Sequence, residues 1–263
     1  DGSVNQITPP TYDMEGAAVS PEGSRILYWG VSFEGIRPDY RQLMLYDLAT
    51  GQTRSLVPDG KYRITQVGWW GTDIWFEGGD PHTSVSRSPK LYLLNPATGD
   101  CRTFCAPDGF LGTSAIGDMS LGGGKVCAVQ GDSLYAVRLQ RDVTALLRFD
   151  KAGNFAPVAS YEGIACFDII GENAYLAAFR DHRPQELYRQ PLSGGEPERL
   201  TQFHDAFLET RQISRPEHIT FRSRDGQEVD GWVIRPSGYE PGKKYPGVLN
   251  IHGGPKAAYG VQY

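Results

Sequence analysis

The residues with the most chemical potential lie late in the 263-residue chain, in His252-Gly253-Gly254-Pro255. They follow Tyr245-Pro246-Gly247-Val248-Leu249-Asn250-Ile251, a short apolar run that reads as a strand buried on both faces. A glycine turn at the end of such a strand lets a substrate carbonyl approach the backbone with no Cβ in the way. A backbone N–H held about 2.7–3.1 Å from a developing oxyanion stabilises the tetrahedral intermediate of acyl transfer. By itself the tetrapeptide also reads as a plain tight turn, and the elements around it decide between the two.

Those elements precede it closely. Gln202–Ser214 is a polar, helix-compatible linker leading into Arg215-Pro216. Glu217–Gly226 and Gln227–Pro236 alternate apolar and polar residues around Asp225-Gly226, which predicts a β-hairpin. Upstream, internal repeats dominate. Leu45-Tyr46-Asp47-Leu48-Ala49-Thr50-Gly51 is echoed by Leu93-Leu94-Asn95-Pro96-Ala97-Thr98-Gly99, and more weakly by Leu147–Gly153 and Leu187–Gly195. Gly51, Gly99, Gly153 and Gly195 stand 48, 54 and 42 residues apart. A period of this size with four short strands per unit predicts β-propeller blades.

The first unit reads as strands at Gly16–Ser20, Arg25–Gly30, Arg41–Leu48 and Gln52–Val57. The second covers about Ile64–Cys105. The third has strands at Lys125–Gly131, Ser133–Arg141, Thr144–Asp150 and Asn154–Ser160, after a Gly-rich loop at Ala106–Gly124. The fourth covers Ile164–Thr201. Asp1–Thr8 aligns with Gly194–Thr201, which predicts the outermost strand of a further unit. The expected fold is therefore all-β: a partial β-propeller of four whole blades and one stray strand. The domain boundaries follow as propeller 1–201, linker 202–215 and a separate strand-bearing region 216–263.

Composition agrees. Gly and Pro number 32 and 18, well above average for the pair, and aromatic residues make up 11%. This favours short strands joined by many turns. With 26 Lys and Arg against 31 Asp and Glu, the net charge is −5, and nucleic acid is not an expected partner. No apolar run approaches the ~20 residues of a membrane helix, so no membrane partner is expected.

Cys101 and Cys105 invite a metal reading. On a strand, however, residues four apart are about 13 Å distant, too far to share an ion or a disulfide. With Cys127 and Cys166 they read as structural thiols, and neither metal nor cofactor is expected. The absence of a disulfide framework fits a reducing, cytoplasmic setting; the chain begins at Asp1 rather than Met, so its start is silent on a signal peptide. His82, His182, His204 and His218 lie at no ligand spacing. Trp69 and Trp70 read as packing between blades rather than as a stacking platform.

Four stretches together resemble the prolyl oligopeptidase family of serine peptidases, in its acylaminoacyl-peptidase and dipeptidyl-aminopeptidase branch. They are Arg183–Tyr188, Ile213–Glu217, Asp225-Gly226 through Gly231-Trp232, and Tyr245-Pro246 through Pro255. The resemblance covers nearly the whole chain and is most specific in its last hundred residues. It implies an N-terminal propeller that restricts access, so that peptides and not folded proteins are cleaved, followed by an α/β-hydrolase domain whose first strands are the hairpin and the apolar run. It implies that Gly253 and Gly254 form the oxyanion turn, with Gly254 the expected N–H donor. His252 would orient this turn by a hydrogen bond and is not the triad base.

The family's nucleophile elbow, G-x-S-x-G-G, is absent. Gly112-Thr113-Ser114-Ala115-Ile116-Gly117 misplaces the second glycine and lies within the repeats, so Ser114 reads as a loop serine. Nucleophile, acid and base are all missing, which implies that this chain by itself is inactive. No adjacent Glu-Glu pair of the kind dipeptidyl aminopeptidases use for a substrate amine occurs either. Units of ~48 residues put a seven-bladed ring near ~340 residues, so the chain is expected to be part of a longer enzyme acting on short peptides. Open blade edges are expected to make it self-associate. The competing reading is a non-catalytic propeller that binds a protein or peptide; the hairpin and the HGGP-bearing run are what such a module has no need of.

Overall fold

The structure is a computed structural model that describes residues 2–32, 41–57, 60–84, 87–112, 115–116, 124–253 and 257–261. Local chemistry explains the repeating turn. The Asp47 carboxylate accepts N–H groups from Ala49 (3.1 Å) and Thr50 (2.8 Å), and the Gly51 N–H closes the turn on the Asp47 carbonyl at 2.9 Å. Asn95 does the same with Ala97 (2.8 Å), Thr98 (3.2 Å) and the Gly99 N–H (2.9 Å). Only a side-chain oxygen is needed, which is why Asp and Asn exchange between repeats. The N–H and then the hydroxyl of Thr50 hold the Asp47 carboxyl below its ordinary pKa. Gly51 and Gly99 take φ of +68° and +80°, where a side chain is strained.

Strands on either side of these turns build four antiparallel sheets, each in sequence order. The first holds β1 (Tyr12–Val19), β2 (Arg25–Ser32), β3 (Gln42–Asp47) and β4 (Thr53–Val57). The second holds β5 (Arg63–Trp70), β6 (Asp73–Gly79), β7 (Lys90–Leu94) and β8 (Cys101–Cys105). After β9 (Ala115–Ile116) comes the third, with β10 (Cys127–Gln130), β11 (Ser133–Gln140), β12 (Val143–Phe149) and β13 (Phe155–Tyr161). The fourth holds β14 (Gly163–Ile170), β15 (Asn173–Phe179), β16 (Glu186–Pro191) and β17 (Glu198–Arg199). These are the blades of a partial β-propeller. The remaining elements are α1 (Asp205–Glu209), the hairpin strands β18 (Pro216–Arg222) and β19 (Glu228–Ile234), and β20 (Ala258–Tyr259), which pairs in parallel with β9.

The sheets repeat one irregularity that their sequences do not advertise. A β-bulge interrupts the first pair of strands at Met14/Gly16, Ile64/Gln66 and Ile164/Cys166. Another interrupts the last pair at Leu43/Met44, Leu91/Tyr92 and Leu146/Leu147. A bulge adds local twist; each position is shared by three sheets, and the first two sheets carry both. At the bulge on β1, Gly16 lies under Trp29, whose Cζ2 would sit 2.2 Å from a Cβ.

The chain divides into two compact units. One comprises Asp1–Phe110, Gly131–Ser133 and Asp150–Asn154; its core includes Leu27, Leu43, Ile64, Ile74 and Phe76. Each such side chain contributes about 1.5–3 kcal/mol when removed from water. Within this unit Trp69 donates its indole N–H to the Ala18 carbonyl at 3.1 Å, stitching β5 to β1, and Trp70 is buried against Phe104. Both are packing residues. The other unit comprises Leu111–Gln130, Leu134–Phe149 and Phe155–Tyr263, with a core around Val137, Leu146, Phe167 and Leu176.

Two expectations are corrected. Gly2–Ile7 is exposed and forms no strand. Tyr245–Ile251 is neither a strand nor buried: Val248, Leu249 and Ile251 are 93%, 84% and 78% exposed. A run of apolar residues becomes a buried strand only when neighbouring strands satisfy its backbone. Among the described residues none lies alongside either segment.

The turn chemistry is testable. Gly99→Ala has open space for its Cβ but must adopt φ near +80°. It is expected to cost about 1–2 kcal/mol, read as a lower urea midpoint. Asn95→Asp keeps the acceptor and is expected to change stability by less than about 0.5 kcal/mol. An unmoved midpoint in Gly99→Ala would contradict the turn's role.

Candidate functional site

The stretch from β16 to the hairpin is held by two carboxylates. Glu186 opens β16, and its side chain is only 1% exposed. It accepts hydrogen bonds from the Thr201 hydroxyl, the Phe203 N–H (3.2 Å) and the His204 N–H (3.0 Å), and the His204 Nδ1 lies 3.0 Å from its Oε1. Burial pushes its pKa up, but the donors from Thr201, Phe203 and His204 together outweigh burial and leave it lowered. Directly after His204, Asp205, at the start of α1, accepts from Arg199 Nη1 (2.8 Å) and Nη2 (2.9 Å) and pairs with Arg183. Hydrogen bonding from Arg199 holds the Asp205 carboxyl below the usual range. The predicted linker is thus a docked connector containing one helical turn.

The connector delivers the chain into the hairpin. β18 and β19 pair in register from Pro216↔Ile234 to Arg222↔Glu228, around a turn in which Gly226 takes φ +82°. On this hairpin Asp230 accepts from Arg141 Nη2 at 2.6 Å and lies 2.9 Å from His218 Nε2. These two partners, Arg141 foremost, lower the Asp230 pKa. A cavity of about 310 Å³ opens where connector and hairpin meet, lined by Gln212, Ile213, Ser214, Arg215, Glu217, Arg235, Pro236, Ser237 and Gly238.

Beyond the exposed 245–251 run, His252 Nδ1 lies 3.0 Å from the Gly253 carbonyl, and its ring meets Tyr259 edge-on at 5.4 Å. The space beside Gly253 is open, with nothing within 4 Å of a built Cβ. Gly254 and Pro255 lie outside the described residues, as does Ser114. Of the predicted site, the described residues include His252 and Gly253, which are neighbours in the chain.

Three other histidines sit beside carboxylates: His204 by Glu186, His218 by Asp230, and His182, whose Nδ1 is 3.7 Å from Glu162. Burial raises the pKa of Glu162, although the His182 N–H donates to both its oxygens at 3.1 Å. Sequence reasoning missed these pairs because their members are 12 to 20 residues apart and on different strands or loops. Arg183–Tyr188, one of the resembling stretches, contains Glu186 and was the available signal. The four cysteines are free, and among the described residues no three His, Cys, Asp or Glu side chains are grouped to hold a metal. No helix among them is long and apolar enough to cross a membrane.

Four-stranded meander sheets in sequence order, followed by a helical turn and a hairpin, define a propeller-bearing protein. No family model matches the chain. It is 33% identical over 162 residues to the uncharacterized peptidase YuxL of Bacillus subtilis, covering 59% of this chain and 24% of that protein. It is 22% identical over 239 residues to dipeptidyl-peptidase 5 of Porphyromonas gingivalis, covering 90% of this chain and 26% of that protein. In fold it matches a puromycin-hydrolyzing peptidase of Mycobacterium tuberculosis at a TM-score of 0.65 and 16% identity, over 94% of this chain and 37% of that one. The resemblance read from the sequence holds: the chain is similar to peptidases of the prolyl oligopeptidase family. It spans about a quarter of the length of the curated relatives it matches.

The connector's anchorage yields a prediction with a definite sign. The folded-state pKa values of Glu186 and Asp205 are lowered, so their contribution is complete above the ordinary carboxylate range and lost as pH falls through the lowered values. Amide exchange at Phe203 and His204, corrected for intrinsic rate, should accelerate in that acidic window and be flat from pH ~5 to 8. Glu186→Ala should expose the same amides at neutral pH and cost about 2–3 kcal/mol. Protection that survived both changes would remove Glu186 as the anchor.

Proposed function

We propose that the chain is the substrate-gating propeller and adjoining first strands of a serine peptidase that cleaves short peptides, releasing acyl-amino acids or dipeptides. In this reading residues 1–201 belong to the propeller, 202–215 link it, and 216–263 begin an α/β-hydrolase domain. The single observation that supports it most is the coincidence of blades with the docked connector, hairpin and His252-Gly253 segment, in a chain similar to known peptidases. A ring of blades excludes folded proteins by its opening and admits extended peptides. Gly254, with Gly253, would supply the N–H that stabilises the tetrahedral oxyanion. His252 would hold the turn through the neighbouring carbonyl. The acylated serine and its acid–base partners would come from outside this chain.

Two measurements test the reading. This chain should hydrolyse no peptide and take no label from a fluorophosphonate. The whole gene product should be labelled stoichiometrically on a serine outside these residues, cleave short peptides and spare a folded protein of the same sequence content. Labelling of the isolated chain, or an unlabelled and inactive gene product, would overturn it and leave a binding propeller in its place.

We further propose that the isolated chain self-associates. Val248, Leu249 and Ile251 are exposed in an unpaired extended run, and Phe221 and Ile234 are exposed on the hairpin. Such surfaces recruit other chains. Light scattering should give a mass above the 29.0 kDa monomer that rises with concentration; a monodisperse monomer would refute this.

A further inference from the structure

The two-residue turn between β11 and β12 departs from its siblings. In the turns joining β5 to β6, β10 to β11 and β14 to β15, the first turn residue is glycine: Gly71 at φ +65°, Gly131 at +55° and Gly171 at +59°. The turn between β11 and β12 uses the same left-handed conformation but places Arg141 in it, at φ +56°. A side chain in this region is strained, and such strain persists where the side chain has a role that glycine lacks.

The role is visible in the contacts. The Arg141 guanidinium reaches the hairpin 89 residues later and donates to Asp230 Oδ2 from Nη2 at 2.6 Å and from Nε at 3.1 Å. Its Nη2 is also 3.8 Å from Glu228. The second Asp230 oxygen faces His218 Nε2 at 2.9 Å and the Thr220 hydroxyl at 3.5 Å. Asp142, the other turn residue, is approached by the segment that follows the His252-Gly253 turn. A Cβ on Gly260 would lie 2.5 Å from the Asp142 carbonyl oxygen, so only glycine permits this approach. Gly260 directly follows β20, which pairs with β9, and the Tyr259 ring packs on His252.

We propose that the Arg141-Asp142 turn is a latch: it holds the β18–β19 hairpin by the Arg141–Asp230 pair and the segment after the His252-Gly253 turn by close packing on Gly260, and so sets where that turn rests against the third sheet. The latch stands on contacts alone. Its use in placing an oxyanion turn rests on the peptidase reading above. The pair is exposed enough to open, and its strength falls with ionic strength as screening grows. It is therefore a reversible catch.

Arg141→Gly separates a latch from an ordinary turn residue. Glycine relieves the backbone, so the β11–β12 amides should stay as protected or gain protection. Loss of the catch should meanwhile make amides of residues 216–234 exchange about 3- to 5-fold faster at low salt. The wild-type chain in about 1 M NaCl should approach the variant's rates. Arg141→Asp should loosen the hairpin further, and adding Asp230→Arg should restore it. Unchanged exchange in 216–234 for Arg141→Gly, or failure of the double variant to recover, would overturn the latch. Amide exchange does not depend on peptidase activity, so failure of the latch and failure of the functional reading are told apart. In the whole gene product the latch as a device for catalysis predicts that Arg141→Gly lowers kcat for a short peptide with KM little changed; unaltered kcat would remove that device.

Discussion

A carboxylate taken out of water must collect donors, and Glu186 collects them from one short stretch of chain. The Thr201 hydroxyl, two successive backbone N–H groups and the His204 ring all converge on it. Breaking such a site leaves a buried charge uncompensated, which costs more than the bonds themselves are worth in water. The chain leaving the fourth sheet therefore has one way to go. Asp205, gripped by Arg199 and Arg183, repeats the restraint directly after His204. These two residues fix the path of the chain as it leaves the fourth sheet.

The sheets upstream are built on a different economy. Each is a meander whose strands are neighbours in sequence, closed by turns in which an Asp or Asn oxygen caps two N–H groups and glycine takes the left-handed conformation. Bulges at the first and last strand pairs coil the first two sheets, and the third and fourth sheets each carry one of the two. Between sheets the work passes to large aromatic residues such as Trp69, which spans from β5 to the carbonyl of Ala18. Local rules make the blade, and a long side chain joins the first blade to the second.

How much of this was legible follows from the range of each interaction. The strands of the first and third sheets were read to within a few residues and the other two sheets as whole units, because alternation and Asx–Gly turns are written over ten residues or fewer. The hairpin at Asp225-Gly226 was legible for the same reason. The bulges were not, since inserting one residue into a pairing leaves no mark on composition. Tyr245–Ile251 misled because apolarity signals a capacity for burial, while burial itself depends on a partner. Glu186, Glu162 and Asp230 stood out in no local pattern; their partners come from other strands and loops. His252 and Gly253 were singled out by motif and are neighbours in the chain, and Gly254 lies outside the residues described, so the oxyanion role stays a proposal.

The latch residues have a consequence for how the molecule comes together. Strand pairs within a sheet close loops of a few residues, whereas Arg141 and Asp230 close one of 89. Closure entropy grows as about (3/2)RT ln n, so joining the hairpin to the third sheet is the more demanding ordering step, and little contact is gained until it is complete. The sheets, built from strands adjacent in sequence, can thus close before the hairpin is joined to them. The hairpin's attachment rests on a long-range ion pair, whereas each sheet rests on its own ladder of strands that are neighbours in sequence.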